Sequence, residues 1–201
     1  YQKKFAVDYN QYYNHFVNNK RRTYGFNLSP RYRVNNKLAF FYSLNYRKSN
    51  YEEGYAEVDG EVDDDIIFGR RNRKSVTNSL SSKYSFNVKS SLSLTFRHNW
   101  ETVTYSNEFY DLTSAGGLTP TTYSRDNVNF NNWNLDLNYT WQFAPGSQLT
   151  AFYRNSIFGN GTDTKLNFQD NIDELFSEPK QHLLSLRLVY FIDYNNIKDI
   201  F

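Results

Sequence analysis

The chain has no cysteine, which excludes a disulfide framework and any cysteine-ligated metal site. It has no methionine, not even at position 1, and no charged-then-apolar leader opens it. The 201 residues are therefore expected to belong to a longer protein. No run approaches the ~18 consecutive apolar residues of a membrane-spanning helix. Lys plus Arg (23) nearly balances Asp plus Glu (21), so no global field points to nucleic acid. No glycine-rich phosphate loop occurs, and Ala144-Pro145-Gly146-Ser147 is turn chemistry.

What the chain does have is aromatic side chains, 18 Tyr, 17 Phe and 3 Trp. That is too many for a disordered tail. Yet mean hydropathy is −0.77. A period-two arrangement of side chains reconciles the two.

Alternation is explicit along the sequence. Tyr24, Phe26, Leu28, Pro30, Tyr32 and Val34 alternate with Thr23, Gly25, Asn27, Ser29, Arg31 and Arg33. Trp133, Leu135, Leu137, Tyr139, Trp141 and Phe143 alternate with Asn134, Asp136, Asn138, Thr140 and Gln142. The same rule yields eight strands, starting near Phe5, Thr23, Leu38, Val76, Leu92, Trp133, Leu149 and Leu184. Their connections alternate in length. Asn35–Lys37, Asn87–Ser90 and Ala144–Ser147 are short turns, whereas Lys48–Lys74, Tyr105–Asn129 and Phe158–Gln181 read as long loops and His15–Arg22 as a shorter one. Membrane barrels show this asymmetry, with tight periplasmic turns and longer extracellular loops.

A soluble antiparallel sandwich or lectin-like domain also alternates. Three features favour the membrane. The strands run about 10–14 residues, where soluble strands average about 5–6 and a tilted crossing needs about 9–11. Aromatics gather at both ends of the apolar face: Tyr24, Tyr46, Trp100 and Trp133 toward the loops, and Tyr32, Phe86, Trp141, Phe143, Tyr190 and Tyr194 toward the turns. Such girdles mark membrane interfaces. The opposite face carries Arg31, Arg33, Arg47, Lys83, Arg97, Glu101, Asp136, Arg154, Arg187 and Asp193, too charged for a dry core. The fold expected is an all-β, antiparallel transmembrane β-barrel segment over residues 1–201, whose eight strands could close alone into a narrow barrel but are read as the C-terminal arc of a wider one; these charges would line its lumen.

The remaining candidates are weaker. Glu57, Asp59, Glu61, Asp63, Asp64 and Asp65 form a candidate cation-binding loop of oxygen ligands, without the spacing of an EF-hand; a solvated acidic loop is the simpler reading. Arg70, Arg71, Arg73 and Lys74 suit anionic headgroups or the acidic loop beside them, or a solvated face. His15, His98 and His182 fall on separate segments with no ligand-like spacing, so neither a metal nor another cofactor is expected. No serine is singled out as a nucleophile beside them, which leans against an enzyme in this segment. Arginines in a lumen favour anionic solutes or form a structural Arg–carboxylate network. Phe41, Phe152, Leu183, Val189 and Phe191, inward by register, point to packed contents.

The stretches Tyr24–Asn35 (YGFNLSPRYRVN), Ile66–Arg73 (IIFGRRNR), Asn129–Ser147 (NFNNWNLDLNYTWQFAPGS) and Leu186–Tyr194 (LRLVYFIDY) resemble the C-terminal region of a large uncharacterised outer-membrane family. Its members are typical of the Bacteroidota and carry the labels carbohydrate-binding family-nine-like protein or membrane-associated hydrolase. The resemblance implies a longer protein, with a signal peptide and a β-sandwich ahead of a barrel. No sugar-binding or catalytic residue carries over to these positions. The terminal Phe201 resembles the aromatic ending read by outer-membrane assembly machinery. The expected function is an integral outer-membrane protein in transport, or in anchoring and scaffolding a larger assembly. The alternative is a membrane anchor for a carbohydrate-binding or hydrolytic domain outside this chain. Expected partners are outer-membrane lipid and lipopolysaccharide, with other outer-membrane proteins, and no nucleic acid.

Overall fold

A computed structural model describes residues 3–17, 20–59 and 65–192. Among these, the chain forms one antiparallel sheet in meander order: β1 (Phe5–His15), β2 (Arg22–Asn35), β3 (Leu38–Asp59), β4 (Asp65–Asn87), β5 (Ser90–Leu112), β7 (Val128–Ala144), β8 (Ser147–Gly161) and β9 (Lys180–Val189). A short ninth strand, β6 (Leu118–Thr121), pairs only with β5. One helix, α1 (Phe168–Ser177), lies between β8 and β9.

The short turns fall where the sequence placed them. In two of them an asparagine supplies the turn chemistry. Asn35 Oδ1 accepts from the Lys37 N–H and Asn87 Oδ1 from the Lys89 N–H, both at 2.8 Å. In the third, Gly146 takes φ 72°, and a Cβ there would lie 2.8 Å from Cβ of Phe191. Only glycine meets both demands.

Register keeps the two faces distinct across the whole sheet. One ladder row reads Phe5, Tyr32, Phe40, Ser82, Leu94, Leu137, Tyr153, Leu184. The adjacent row, pointing the other way, reads Ala6, Arg31, Phe41, Ser81, Thr95, Asp136, Arg154, Leu183. Side chains directly opposite in an antiparallel pair share a face, so the rows are consecutive slices of an apolar and a polar surface. Apart from α1, contacts among the described elements run between neighbouring strands. Beyond α1, which lies over Trp100 and Trp133, no second layer packs across the apolar face among the described residues, and Leu184 and Leu186 are 73% and 69% exposed.

Three expectations need correction. The described sheet is open rather than closed into a barrel: β1 pairs only with β2, and β9 only with β8. Lys48–Lys74 is not a long loop. β3 and β4 continue through it to the backbone pair Asp59/Asp65, forming with β5 and β6 a projection beyond the other strands. Cross-strand charge holds this extension together, since Glu52 faces Arg71 and Glu53 faces Arg70. Tyr105–Asn129 and Phe158–Gln181 are likewise partly regular, containing the end of β5, β6, the end of β8 and α1.

A buried apolar cluster sits in the projection: Ala56, Ile67 and Phe109, with Tyr105 and Tyr123 against them; Trp100, Ile157 and Leu175 are buried as well, at α1. Gly69 lets the Tyr105 ring lie on the strand, where a Cβ would come within 2.8 Å of it. Bulges bracket this region between Ser49 and Glu52 and between Gly69 and Arg71. At the first, Tyr51 adopts φ 54° while Asn72 Oδ1 accepts its N–H at 3.1 Å. Such bulges bend and twist a strand.

Candidate functional site: the two faces of the sheet

Polar side chains at alternate positions of seven strands converge on one surface. Arg31, Arg33, Arg47, Lys83, Arg97, Glu101, Asp136, Arg154 and Arg187 all share that face by register. Asp193 lies outside the described residues. At the centre Asp136 is clasped from two strands. It accepts from Arg154 Nε (2.7 Å) and Nη2 (2.9 Å), and from Arg97 Nη2 (3.0 Å). A planar guanidinium meets a carboxylate best in this paired geometry. Glu101 accepts from Arg73 Nη2 and Asp8 from Arg31 Nη2, both at 2.8 Å. Arg33, Arg47, Lys83 and Arg187 form no ion pair among the described residues. The face is thus cross-braced by ion pairs and keeps surplus positive charge. Of its bulky apolar groups, Phe152 lies beneath the Arg154 guanidinium at 5.4 Å, and Phe41 is half exposed.

Aromatics order the other face at both ends. Toward the turns, Phe86 meets Tyr84 edge-on at 4.8 Å and Tyr139 at 6.2 Å. Trp141 and Phe143 are 5.6 Å apart, and Phe143 stacks on Tyr190 at 6.3 Å. Tyr32 on β2 is exposed at the same end. Tyr194 lies outside the described residues. Toward the projection, Tyr24 and Tyr46 are 6.0 Å apart, with Phe26 stacked on Tyr46. Trp100 and Trp133 are at that end too, but α1 partly covers them. Trp100 is only 2% exposed, with Phe168 6.1 Å from it and Phe176 5.0 Å from Trp133.

Beneath α1 runs a polar relay that periodicity alone did not reveal. The Tyr42 hydroxyl donates to Asn78 Oδ1 (2.6 Å), and Asn78 Nδ2 lies 3.2 Å from His98 Nδ1. His98 Nε2 donates to Asn131 Oδ1 (2.8 Å), whose amide donates to the Asn171 carbonyl (3.1 Å). Trp100 Nε1 donates to Asn129 Oδ1 (2.8 Å), and Asn129 Nδ2 donates to Asn171 Oδ1 (3.2 Å). His98, 1% exposed, therefore pins the helix to the sheet. Buried amides survive here because they bond one another. The clue in the sequence was Asn167, three residues before Asp170, with Phe168, Ile172 and Phe176 at helical spacing and Pro179 beyond. Asn167 caps α1 by accepting the Asp170 N–H at 2.9 Å.

In the acidic stretch, Glu57 is already committed. It accepts from the Tyr123 hydroxyl at 2.9 Å and pairs with Arg125 at 3.3 Å. These two contacts hold its carboxyl below the usual carboxylate range. Asp59 and Asp65 end their strands opposite each other, while Glu61, Asp63 and Asp64 lie outside the described residues. Among the described residues no three His, Asp or Glu side chains gather to hold a metal ion. Arg70 is clamped between Glu53, at 2.8 Å, and Glu108. His182 faces the Tyr153 hydroxyl at 2.9 Å, and no helix is long and apolar enough to cross a membrane.

No curated protein and no solved structure matches the chain. A family model does, over residues 1–201, and the chain accordingly belongs to the family described as Domain of unknown function (DUF5916).

Proposed function

We propose that this sheet is an arc of an outer-membrane β-barrel, its apolar face against acyl chains and its polar face toward an aqueous lumen. The carrying observation is the register: eight long strands keep apolar side chains on one surface, and apart from α1 over the Trp100–Trp133 end no second layer of described residues covers it. In water such a surface marks an interaction site. In hydrocarbon it is the ordinary solvent-facing side of a barrel strand, and closure by further strands would satisfy the two open edges.

Dimensions support the reading. Trp133 and Trp141 lie on one strand, eight residues apart. That is about 27 Å along the strand, or about 21 Å along the membrane normal at a tilt of roughly 40°, near the ~25 Å apolar band of such barrels. The short turns and both ends of the sheet, Phe5 and Val189, fall on the same side, which this reading makes periplasmic.

The role is transport, or anchoring and scaffolding of a larger assembly, including an active domain elsewhere in a longer protein. Surplus arginine and lysine on the polar face favour anionic solutes. Reconstitution of the full-length protein into planar bilayers tests this. Anion-selective steps support transport; a folded, inserted and silent protein supports the anchoring role. A protein recovered wholly in the water-soluble fraction, and monomeric there, overturns the membrane reading.

A further inference from the structure

Three cations stand on the wrong side of the sheet. Lys48 and Lys74 are direct cross-strand partners, and Tyr24 is the partner of Lys48 on β2. All three residues share the apolar face, as does Arg22, two positions beyond Tyr24. The Lys74 ammonium lies 4.2 Å from the centroid of the Trp100 ring, a residue of that same face. Like charges directly opposite destabilise a strand pair, and a cation on an apolar surface carries a desolvation cost as well. Among the described residues none of the three is ion-paired to a carboxylate. The contact with Trp100 offsets part of the cost for Lys74, but nothing in the sheet separates Lys74 from Lys48.

An external anion would remove the repulsion. Its surroundings specify its chemistry, because Phe26, Tyr46 and Val76 continue the same face from the cations toward the sheet centre. A ligand that is anionic at the projecting end and apolar below it satisfies both. Lysine and arginine stems lie on apolar surface while their charged heads reach the headgroup layer, which matches this position beside the Tyr24–Tyr46 pair.

We propose that Arg22, Lys48 and Lys74 form a docking surface for the phosphate of an outer-leaflet glycolipid, whose acyl chains lie over Phe26 and Tyr46. This rests on the outer-membrane reading and deepens it by naming the lipid class and the residues that hold it.

The test uses native mass spectrometry of the full-length protein in non-ionic detergent, titrated with bisphosphorylated lipid A, its dephosphorylated form, and inorganic phosphate. The expected result is preferential retention of the phosphorylated lipid. Each cation near an anionic surface is worth about fivefold in affinity, so R22Q/K48Q/K74Q should weaken retention about a hundredfold. K48R/K74R, which keeps the charge, should retain the lipid. If the triple variant does not fold, the single variants K48Q and K74Q carry the test at about fivefold each. Wild-type retention by any folded neutralised variant overturns the proposal. So does equal binding of the dephosphorylated lipid, or inorganic phosphate binding as tightly as the lipid. Insertion into phosphatidylcholine vesicles separates the two levels. A chain that inserts but ignores the phosphate loses this site alone, and a chain that inserts into no vesicle loses the barrel reading with it.

Discussion

Asp136 shows how single side chains organise the polar face. Its carboxylate, 13% exposed, serves guanidinium groups from β5 and β8, which are 54% and 42% exposed. Solvent screening of the arginines discounts the pair, so Asp136→Asn should lower stability by about 1–2 kcal/mol. Urea titration of the vesicle-reconstituted protein, with Arg154→Gln as the companion variant, measures it. Glu57 offers a pH test at the projecting tip. Its carboxyl is depressed in the folded protein by Tyr123 and Arg125. The contribution is therefore complete above the unfolded glutamate value of about 4.3 and is lost as pH falls through the lower folded value. Amide exchange around Tyr123 should accelerate over that acidic window, and Glu57→Gln should abolish the dependence while leaving the rest of the sheet unchanged.

At the scale of elements, α1 is the piece whose attachment can be broken without touching a strand. Asn167→Ala removes the cap and should cost the helix about 1 kcal/mol. Leu175, 1% exposed against the sheet, should cost about 2–5 kcal/mol as Leu175→Ala. In both variants Trp100 should become accessible to a water-soluble fluorescence quencher; unchanged protection of Trp100 in Leu175→Ala would mean that α1 is not what covers it. The elements also show which signals a sequence carries. The strands through Tyr24, Phe96 and Leu137 were legible because each has one polar and one apolar face, a strict period of two. The turns at Asn35, Asn87 and Gly146 were legible because their residue types have local reasons to be there. The extension of β3 and β4 was not. Its alternation sets a charged or aromatic side chain against a small residue, as in Glu53-Gly54-Tyr55-Ala56, and its partners Arg70 and Arg71 are distant in sequence. The relay from Tyr42 through Asn78, His98 and Asn131 to Asn171 was hidden for the same reason, since register had to bring four strands and a helix together. His98 stands on the apolar face of β5, partner to Asn78 and Trp133, but its burial depends on α1, whose Phe168 ring lies 5.9 Å from it.

For the molecule as a whole, the question is what solvent the apolar face meets. The two surfaces of β7 make this testable, and the absence of cysteine from these 201 residues leaves no native thiol in the sheet to compete with site-directed spin labels. The most direct measurement is collision accessibility along β7 in full-length protein reconstituted into lipid vesicles, with labels at Leu135→Cys, Leu137→Cys and Tyr139→Cys on one face and at Asn134→Cys, Asp136→Cys and Asn138→Cys on the other. The membrane arc predicts that oxygen, concentrated in acyl chains, relaxes the first three labels, while a water-soluble nickel chelate relaxes the second three. Preferential relaxation of Leu135, Leu137 and Tyr139 labels by the nickel chelate would contradict it.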